Sequence, residues 1–510
     1  MLKFKEKIKL HPIMTFLVLI AVTILVSGLL SWLGAEASYN TVNSVTNTYD
    51  RNFVEVESLL SLSGLKYIFS STVSNFASFT PLSMLIIILI GIGIMEKSGF
   101  LKTAFTILTK NCQKKTITFI LVLICLLMSI CGDLGYVVMI PISALLFLHG
   151  RRNPSVGIIT AFAALTCGSG LNIFLTSIDS SLLNLTLSST HVLDANYTIG
   201  TSSFLLINIL SILILAFIIT TITEKIIVEK VDHYEFKEEK KEYKISRREL
   251  RGLVLSLLAA VIYLIIFIYN IIPGLPFSGN LLDYSQSLYI DKLFSPDSFF
   301  SQGFVFIVTI LFVILGFFYG IGARTIKDDN DLCDDLGHSL DGIGKTIILI
   351  FMASVLINIF KKTNMGTVFT AWIANLLGAI PFSGIPLIVT FFILVALCTI
   401  LMPTSVSKWT ILAGSTVPVF MNAGLSPEFT QIIFRFAEST TIGLTPLLAY
   451  FVIYLAFLEK YNQSDKTISL FTTIKYQTYY STIVAAVLII ILIIWYIIGL
   501  PLGIGSIATI

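Results

Sequence analysis

"FRFAESTTIGLTP" (residues 434–446) puts an arginine, Arg435, and a glutamate, Glu438, into an apolar segment running from about 428 to 457. A charge at bilayer depth costs on the order of 3 kcal/mol or more unless it faces a polar cavity or finds a partner. Three residues apart on a helix, these two side chains share a face and can pair. Gly443 and Pro446 follow at once, so the helix is expected to be interrupted there. Working outward, three more charges sit in long apolar stretches: Asp133, Asp179 and Lys408. All five fall in two similarly built modules, near 116–185 and 384–457, which points to a membrane protein with one central polar site.

Of the 510 residues, 55% are hydrophobic and 12% charged, with a mean hydropathy of +0.91. That balance lies outside the range of soluble domains and marks an all-α integral membrane protein, expected in the plasma (inner) membrane. A net charge of +3 gives no basic footprint for nucleic acid. The six cysteines, at 112, 125, 131, 167, 333 and 398, form no CxxC pair and read as small buried hydrophobes. The five histidines lie at segment ends or in loops, so no histidine metal centre is expected. No cofactor is expected beyond a coupling Na⁺ or H⁺.

Spanning helices need roughly 20 apolar residues. Residues 13–34, 78–95, 203–222, 253–272, 302–322 and 480–499 meet that need, and interrupted crossings fit 155–190, 346–380 and 428–457. The stretches 116–149 and 384–424 break in the middle and read as re-entrant hairpins, so the expected map has nine crossings plus two hairpins. On it, 26 of the 33 Lys and Arg residues fall on one side, including Lys3, Lys5, Lys7 and Lys9. The positive-inside rule then makes the N-terminus cytoplasmic. Ala35-Glu36-Ala37 imitates a signal-peptidase site, but the apolar run from Pro12 is longer than a signal core and is read as a spanning helix.

Lys361-Lys362 fall in the middle of the crossing at 346–380, so either that helix is broken there, facing a wet surface, which is the preferred reading, or the span ends at Lys361. Residues 224–252 read as a mixed-charge cytoplasmic linker and 324–345 as an acidic loop without EF-hand spacing. The chain is expected to be one polytopic unit. Scaffold helices fill 1–115, and the first hairpin and broken helix 116–190. Further scaffold and loops fill 203–345, the second broken-helix module 346–457, and a last helix 458–510.

In the first module "CGDLG" (131–135) makes the hairpin tip, and the next crossing is interrupted by "CGSGLN" (167–172) and "TSIDSS" (176–181). In the second, "PTSVSKW" (403–409) makes the tip, and the crossing after it holds Arg435, Glu438, Gly443 and Pro446. Hairpin plus broken helix thus occurs twice, once from each side, as an inverted repeat. Such repeats place substrate and ion sites near the bilayer midplane, where unwound backbone lines a polar cavity.

These stretches resemble the AbgT family, the p-aminobenzoyl-glutamate transporters. The resemblance is carried by "GIGIMEKSGF" (91–100), "GDLGYVVMIPISALLFLHGRRNP" (132–154), "LNIFLTSIDSSL" (171–182), "SVSKWTILAGSTVPVFMNAGLSPEFTQ" (405–431) and "FRFAESTTIGLTPLLAYF" (434–451). It implies an ion-transporter-superfamily-like fold, a bowl-shaped homodimer, and transport of p-aminobenzoyl-glutamate, p-aminobenzoate or sulfonamides. It also implies site residues at Asp179, Lys408-Trp409, Arg435, Glu438 and Pro446. Two departures bear on substrate identity. Val406 breaks a small-polar alternation before Lys-Trp, and Glu438 stands where the family typically carries Asp.

Arg435 is the expected partner of a substrate carboxylate, since a guanidinium grips one bidentately and stays charged; the structural alternative is a salt bridge with Glu438. Asp179 and Glu438 are the expected carriers of a coupling proton, because burial favours a neutral carboxyl; Asp179 would otherwise cap a half-helix beginning near Ser180. Asp133 is read as a cap of the returning hairpin arm. Trp409 offers a face for stacking an aromatic ring, or is a packing residue. Lys408 supplies a positive end for an anion, or snorkels. Asn172, Ser169, Ser405 and Ser407 are expected polar contacts for substrate or Na⁺, with helix-to-helix hydrogen bonding as the alternative.

The leading function is a secondary antiporter or efflux pump moving aromatic carboxylates and driven by the proton gradient, with a Na⁺-coupled carboxylate symporter as the alternative. An intramembrane enzyme is the remote third. No HExxH motif is present, Ile130 stands where a GxGD aspartyl protease needs Gly, and no GxxxxGK[ST] loop provides for ATP.

Overall fold

The computed structural model describes residues 10–510, apart from 44, 45, 47, 111, 237–244, 296, 380, 381, 465 and 466. The basic arm Lys3–Lys9 and the middle of the 224–252 linker therefore lie outside the described residues. The apolar runs are helices because hydrocarbon offers no partner to a backbone N–H or C=O. Nine helical stretches among the described residues are long and apolar enough to cross a membrane.

The chain begins with α1 (Pro12–Trp32), a ribbon of β1 (Glu36–Asn43) and β2 (Thr48–Glu55), then α2 (Leu62–Ala77) and α3 (Thr80–Lys97). The helix α4 (Phe100–Lys110) leads to the first hairpin, α5 (Lys114–Leu127) and α6 (Asp133–His149). The interrupted stretch expected at 155–190 follows as two helices, α7 (Pro154–Gly168) and α8 (Ser177–His191). Next come α9 (Leu205–Ile222), a π-helical turn at Thr223–Ile227 and α10 (Val228–Lys230). Beyond the linker lie α11 (Arg247–Ile271), α12 (Tyr289–Phe294), α13 (Phe299–Ala323) and α14 (Asp329–His338).

The second half opens with a crossing broken into α15 (Gly344–Lys362) and α16 (Met365–Ala379). The second hairpin is α17 (Gly384–Leu401) and α18 (Ser405–Asn422), and the crossing after it is α19 (Pro427–Thr441) and α20 (Phe451–Lys460). The chain ends with α21 (Leu470–Ile498) and a ribbon of β3 (Pro501–Gly503) and β4 (Ser506–Ile507).

Packing repeats with the element order. In each module the first half of the broken helix packs on both arms of its own hairpin: α7 on α5 and α6, α19 on α17 and α18. The second halves cross over, α8 onto α18 and α20 onto α6. The α7 and α19 halves touch each other, so both breaks meet at the centre. Outside this core, α13 packs against both α3 and α11, and α3 joins this group to α6.

Local chemistry explains the breaks. Helix α15 ends at Thr363-Asn364, where Asn364 adopts φ = +58°, a conformation Asn tolerates better than most residues. The helix is thus broken, as expected, two residues beyond Lys362. Thr176 caps α8 by accepting the Asp179 N–H at 3.2 Å, and Ser426 caps α19 by accepting from Phe429.

Several expectations need correction. The expected span at 78–95 is α3, and α2 adds a further apolar helix before it, separated by the non-helical Ser78-Phe79. In the more polar α2, the Ser71 and Thr72 hydroxyls donate to the Tyr67 and Ile68 carbonyls one turn back, which satisfies those hydroxyls within the helix. The segment read as an acidic loop at 324–345 contains α14, capped by Asp328. Two β-ribbons interrupt the all-helical reading. The first is seated on α16 and α18 by Trp372 and Asn375, which donate to the carbonyls of Glu36 and Ser38. Of the cysteines, Cys125, Cys167 and Cys398 are buried, whereas Cys333 is exposed on α14.

Candidate functional site

Between α7 and α8 the chain unwinds over residues 169–176, and Gly170 there lies flat against α19. A Cβ on Gly170 would stand 2.3 Å from the Arg435 carbonyl oxygen. Backbone contacts this close admit only glycine. Gly170→Ala is therefore expected to push α19 away and reduce transport at least tenfold with a lowered melting temperature, an order-of-magnitude effect of a small displacement at a site. Normal flux in that variant would show that the contact is dispensable.

The Asp179 carboxylate closes the unwound segment on itself. Its Oδ2 accepts from Asn172 Nδ2 at 2.6 Å, Thr176 Oγ1 at 2.7 Å and the Thr176 N–H at 3.2 Å. Asp179 is thus the third residue of α8 in a capping box with Thr176, rather than the cap of a helix beginning near Ser180. Asn172 also accepts from Ser129 of the first hairpin tip at 2.8 Å, and its carbonyl accepts from Asn208 of α9.

Across the break, Arg435 joins both modules. One terminal nitrogen meets Asp179 Oδ1 at 3.3 Å and donates to the Ser169 carbonyl. The other donates to Glu438 Oε2 at 3.0 Å and to Ser405 Oγ at 3.2 Å. Glu438 Oε1 then accepts from Ser405 Oγ at 2.7 Å and from Lys408 Nζ at 3.1 Å. The remaining Lys408 donors go to Thr399 Oγ1 at 2.6 Å and the Met402 carbonyl at 3.2 Å. Four of the five stranded charges form one chain of alternating sign, Asp179–Arg435–Glu438–Lys408, with no net charge. Both readings of Arg435 meet here. The salt bridge with Glu438 exists, and a bidentate grip on another carboxylate requires that Arg435 first give up partners.

A cavity of about 980 Å³ opens beside this chain of charges, lined by both hairpin tips and the unwound segment. Arg435, Asn172, Ser169, Ser405 and Ser407 line it. Lys408 and Trp409 do not, and both are fully buried. Lys408 neither snorkels nor faces an incoming anion in this conformation, because all its donors are held by protein. The Trp409 indole donates to Thr186 Oγ1 at 2.9 Å and packs 4.5 Å from the Phe434 ring. Stacking on a ring in the cavity is not open to it. Pro446 lies in the turn between α19 and α20, where its neighbours Leu447 and Tyr450 reach the cavity.

Three features escaped the sequence. Asp133 forms no cap: Gly132, with φ = +55°, precedes α6, and Asp133 faces the cavity close to Tyr450. Lys361 also lines this cavity. At the far end of the first hairpin, Arg152 is buried and bonded to Glu224 at 2.6 Å and to Thr118 at 2.5 Å. Arg152 and Glu224 read as loop charges because the π-helical turn that carries Glu224 inward leaves no mark in hydropathy.

A helical membrane fold whose two broken helices converge on a charged, solvent-sized cavity is that of a transporter rather than an enzyme. The AbgT putative transporter family matches residues 4–510, and the chain belongs to that family. The p-aminobenzoyl-glutamate transport protein of Escherichia coli (strain K12) is 26% identical over 495 residues, 97% of this chain and 94% of that protein. The YdaH transporter of Alcanivorax borkumensis is 25% identical, with 97% of this chain and 100% of that one aligned at a TM-score of 0.48. MtrF of Neisseria gonorrhoeae, described within a class of antimetabolite efflux pumps, is 27% identical over 98% of each chain at a TM-score of 0.49.

Proposed function

We propose that the protein is a secondary active transporter of aromatic carboxylates such as p-aminobenzoyl-glutamate, p-aminobenzoate or sulfonamide-like compounds, coupled to the proton motive force. The observation that carries this reading is the sharing of one cavity-lining guanidinium between two carboxylates, Asp179 at 3.3 Å and Glu438 at 3.0 Å. A substrate carboxylate and a protein carboxylate compete for the same donors. When Glu438 or Asp179 takes up a proton its hold on Arg435 weakens, and a fork of N–H donors becomes free for the substrate. Proton and anion then bind with positive linkage, so affinity rises as pH falls. The family and the E. coli relative's p-aminobenzoyl-glutamate transport support the substrate class. Asn172, Ser169, Ser405 and Ser407 supply polar contacts at the cavity wall in this reading. The N-terminus is cytoplasmic in it, and the assembly is a homodimer.

The test is binding and flux in proteoliposomes. Collapse of the proton gradient at constant Na⁺ is expected to stop concentrative transport. Glu438→Gln keeps the shape but removes the exchangeable charge, and is expected to flatten the pH dependence of substrate affinity. An undiminished pH dependence would exclude Glu438 as the sole proton carrier and shift the role to Asp179.

One feature favours Na⁺ coupling as the second reading. Asn208 Oδ1, beside the unwound segment, is buried with no hydrogen-bond partner among the described residues, and so is Ser211 Oγ. Buried oxygens of this kind are suited to a hard cation. Transport that follows an imposed Na⁺ gradient, and disregards the proton gradient, would decide for it.

A further inference from the structure

The cations expected to receive the substrate are committed elsewhere in this conformation. Arg435 is neutralised by Asp179 and Glu438, and Lys408 is fully buried with its donors on Thr399, Met402 and Glu438. The cavity wall carries one further positive side chain. Lys361 is exposed into it from the last turn of α15, next to the break at Thr363-Asn364. Its neighbour Lys362 is tied to Glu57 at 2.5 Å. Lys361 has no carboxylate within ion-pair distance among the described residues.

A lysine at a helix C-terminus also complements the helix dipole. Lys362, in the same turn, does so while turned toward Glu57, so the dipole alone does not require Lys361 to stand in the cavity. An ammonium between low-dielectric walls attracts an anion more strongly than one on an open surface. Capture there breaks no existing ion pair, whereas capture by Arg435 must break one. The surrounding wall suits an aromatic acid: Phe79, Phe300, Phe304 and Phe360 present apolar surface, and Asn358 is polar.

We propose that Lys361 is the carboxylate anchor of the cavity, the first residue to hold the anionic group of an aromatic substrate before Arg435 is released. This rests on the aromatic-carboxylate reading above and moves the initial contact to the α15–α16 break.

The experiment measures binding of p-aminobenzoate and of its uncharged ethyl ester to the purified full-length protein, for the wild type, Lys361→Met and Lys361→Arg. Loss of one charge-assisted contact is expected to weaken p-aminobenzoate binding by roughly tenfold to a hundredfold in the Met variant. The Arg variant should stay within about threefold of wild type, because it keeps the charge. Ester binding should be the same in all three proteins. If the Met variant binds p-aminobenzoate as the wild type does, the anchor is refuted while the proposed function stands. Equal losses for acid and ester mark a structural role and also refute it. A wild type that binds neither compound overturns the substrate reading and the anchor together.

Discussion

Arg435→Ala is expected to abolish transport and to lower thermal stability in the same protein. The guanidinium ties the two modules together at the breaks, touching Asp179 and the Ser169 carbonyl on one side and Glu438 and Ser405 on the other. Removing it leaves the Asp179 carboxylate without a cation and Glu438 with Lys408 alone. Breaking a buried ion pair by deleting one partner typically costs about 3–5 kcal/mol. Arg435→Lys separates charge from geometry. One ammonium cannot span both acids and a backbone carbonyl, so that variant should fold better than the alanine protein yet carry substrate at least roughly tenfold more slowly. Proteoliposome uptake and melting curves in detergent provide the two readouts. Normal uptake by Arg435→Ala would sink the central-site model.

Lys408→Met is expected to destabilise by a similar amount, about 3–5 kcal/mol, because the buried Glu438 loses a cation at 3.1 Å. The side chain contacts no cavity surface, so any lost transport should follow lost folding rather than lost affinity. Adding Glu438→Gln removes the charge left behind, and the double variant is expected to recover most of the stability. A double-mutant cycle isolates that coupling energy. A single Lys408→Met variant as stable as the parent, with substrate affinity selectively reduced, would return Lys408 to direct contact.

The two lysines illustrate how spacing misleads. Lys408 and Trp409 lie beside Ser405 and Ser407 in one tip motif, which invites a common role. In the fold, Ser405 and Ser407 face the cavity while Lys408 and Trp409 point into protein, because successive residues of a helix project about 100° apart. Lys361, by contrast, read as a difficulty for the topology, and the break beyond it places that charge in the cavity wall. Asp133 shows the same limit. Flanking residues suggested a cap, but the positive φ of Gly132 lets α6 start without one.

By itself, the sequence determined the class of the molecule. Long apolar runs must become helices in hydrocarbon, and Gly, Asn and Pro with stranded charges mark where those helices break. These are local consequences of solvation and backbone chemistry, so the two modules and the pair Arg435–Glu438, one helical turn apart, were legible. Only the tertiary structure decided which charges neutralise one another and which remain free. Asp179 meets Arg435 across 256 positions, and Lys408 meets Glu438 across 30, because α7 and α19 bring their breaks together at the centre. Coulomb attraction depends on distance in space, which hydropathy and spacing along one chain do not contain.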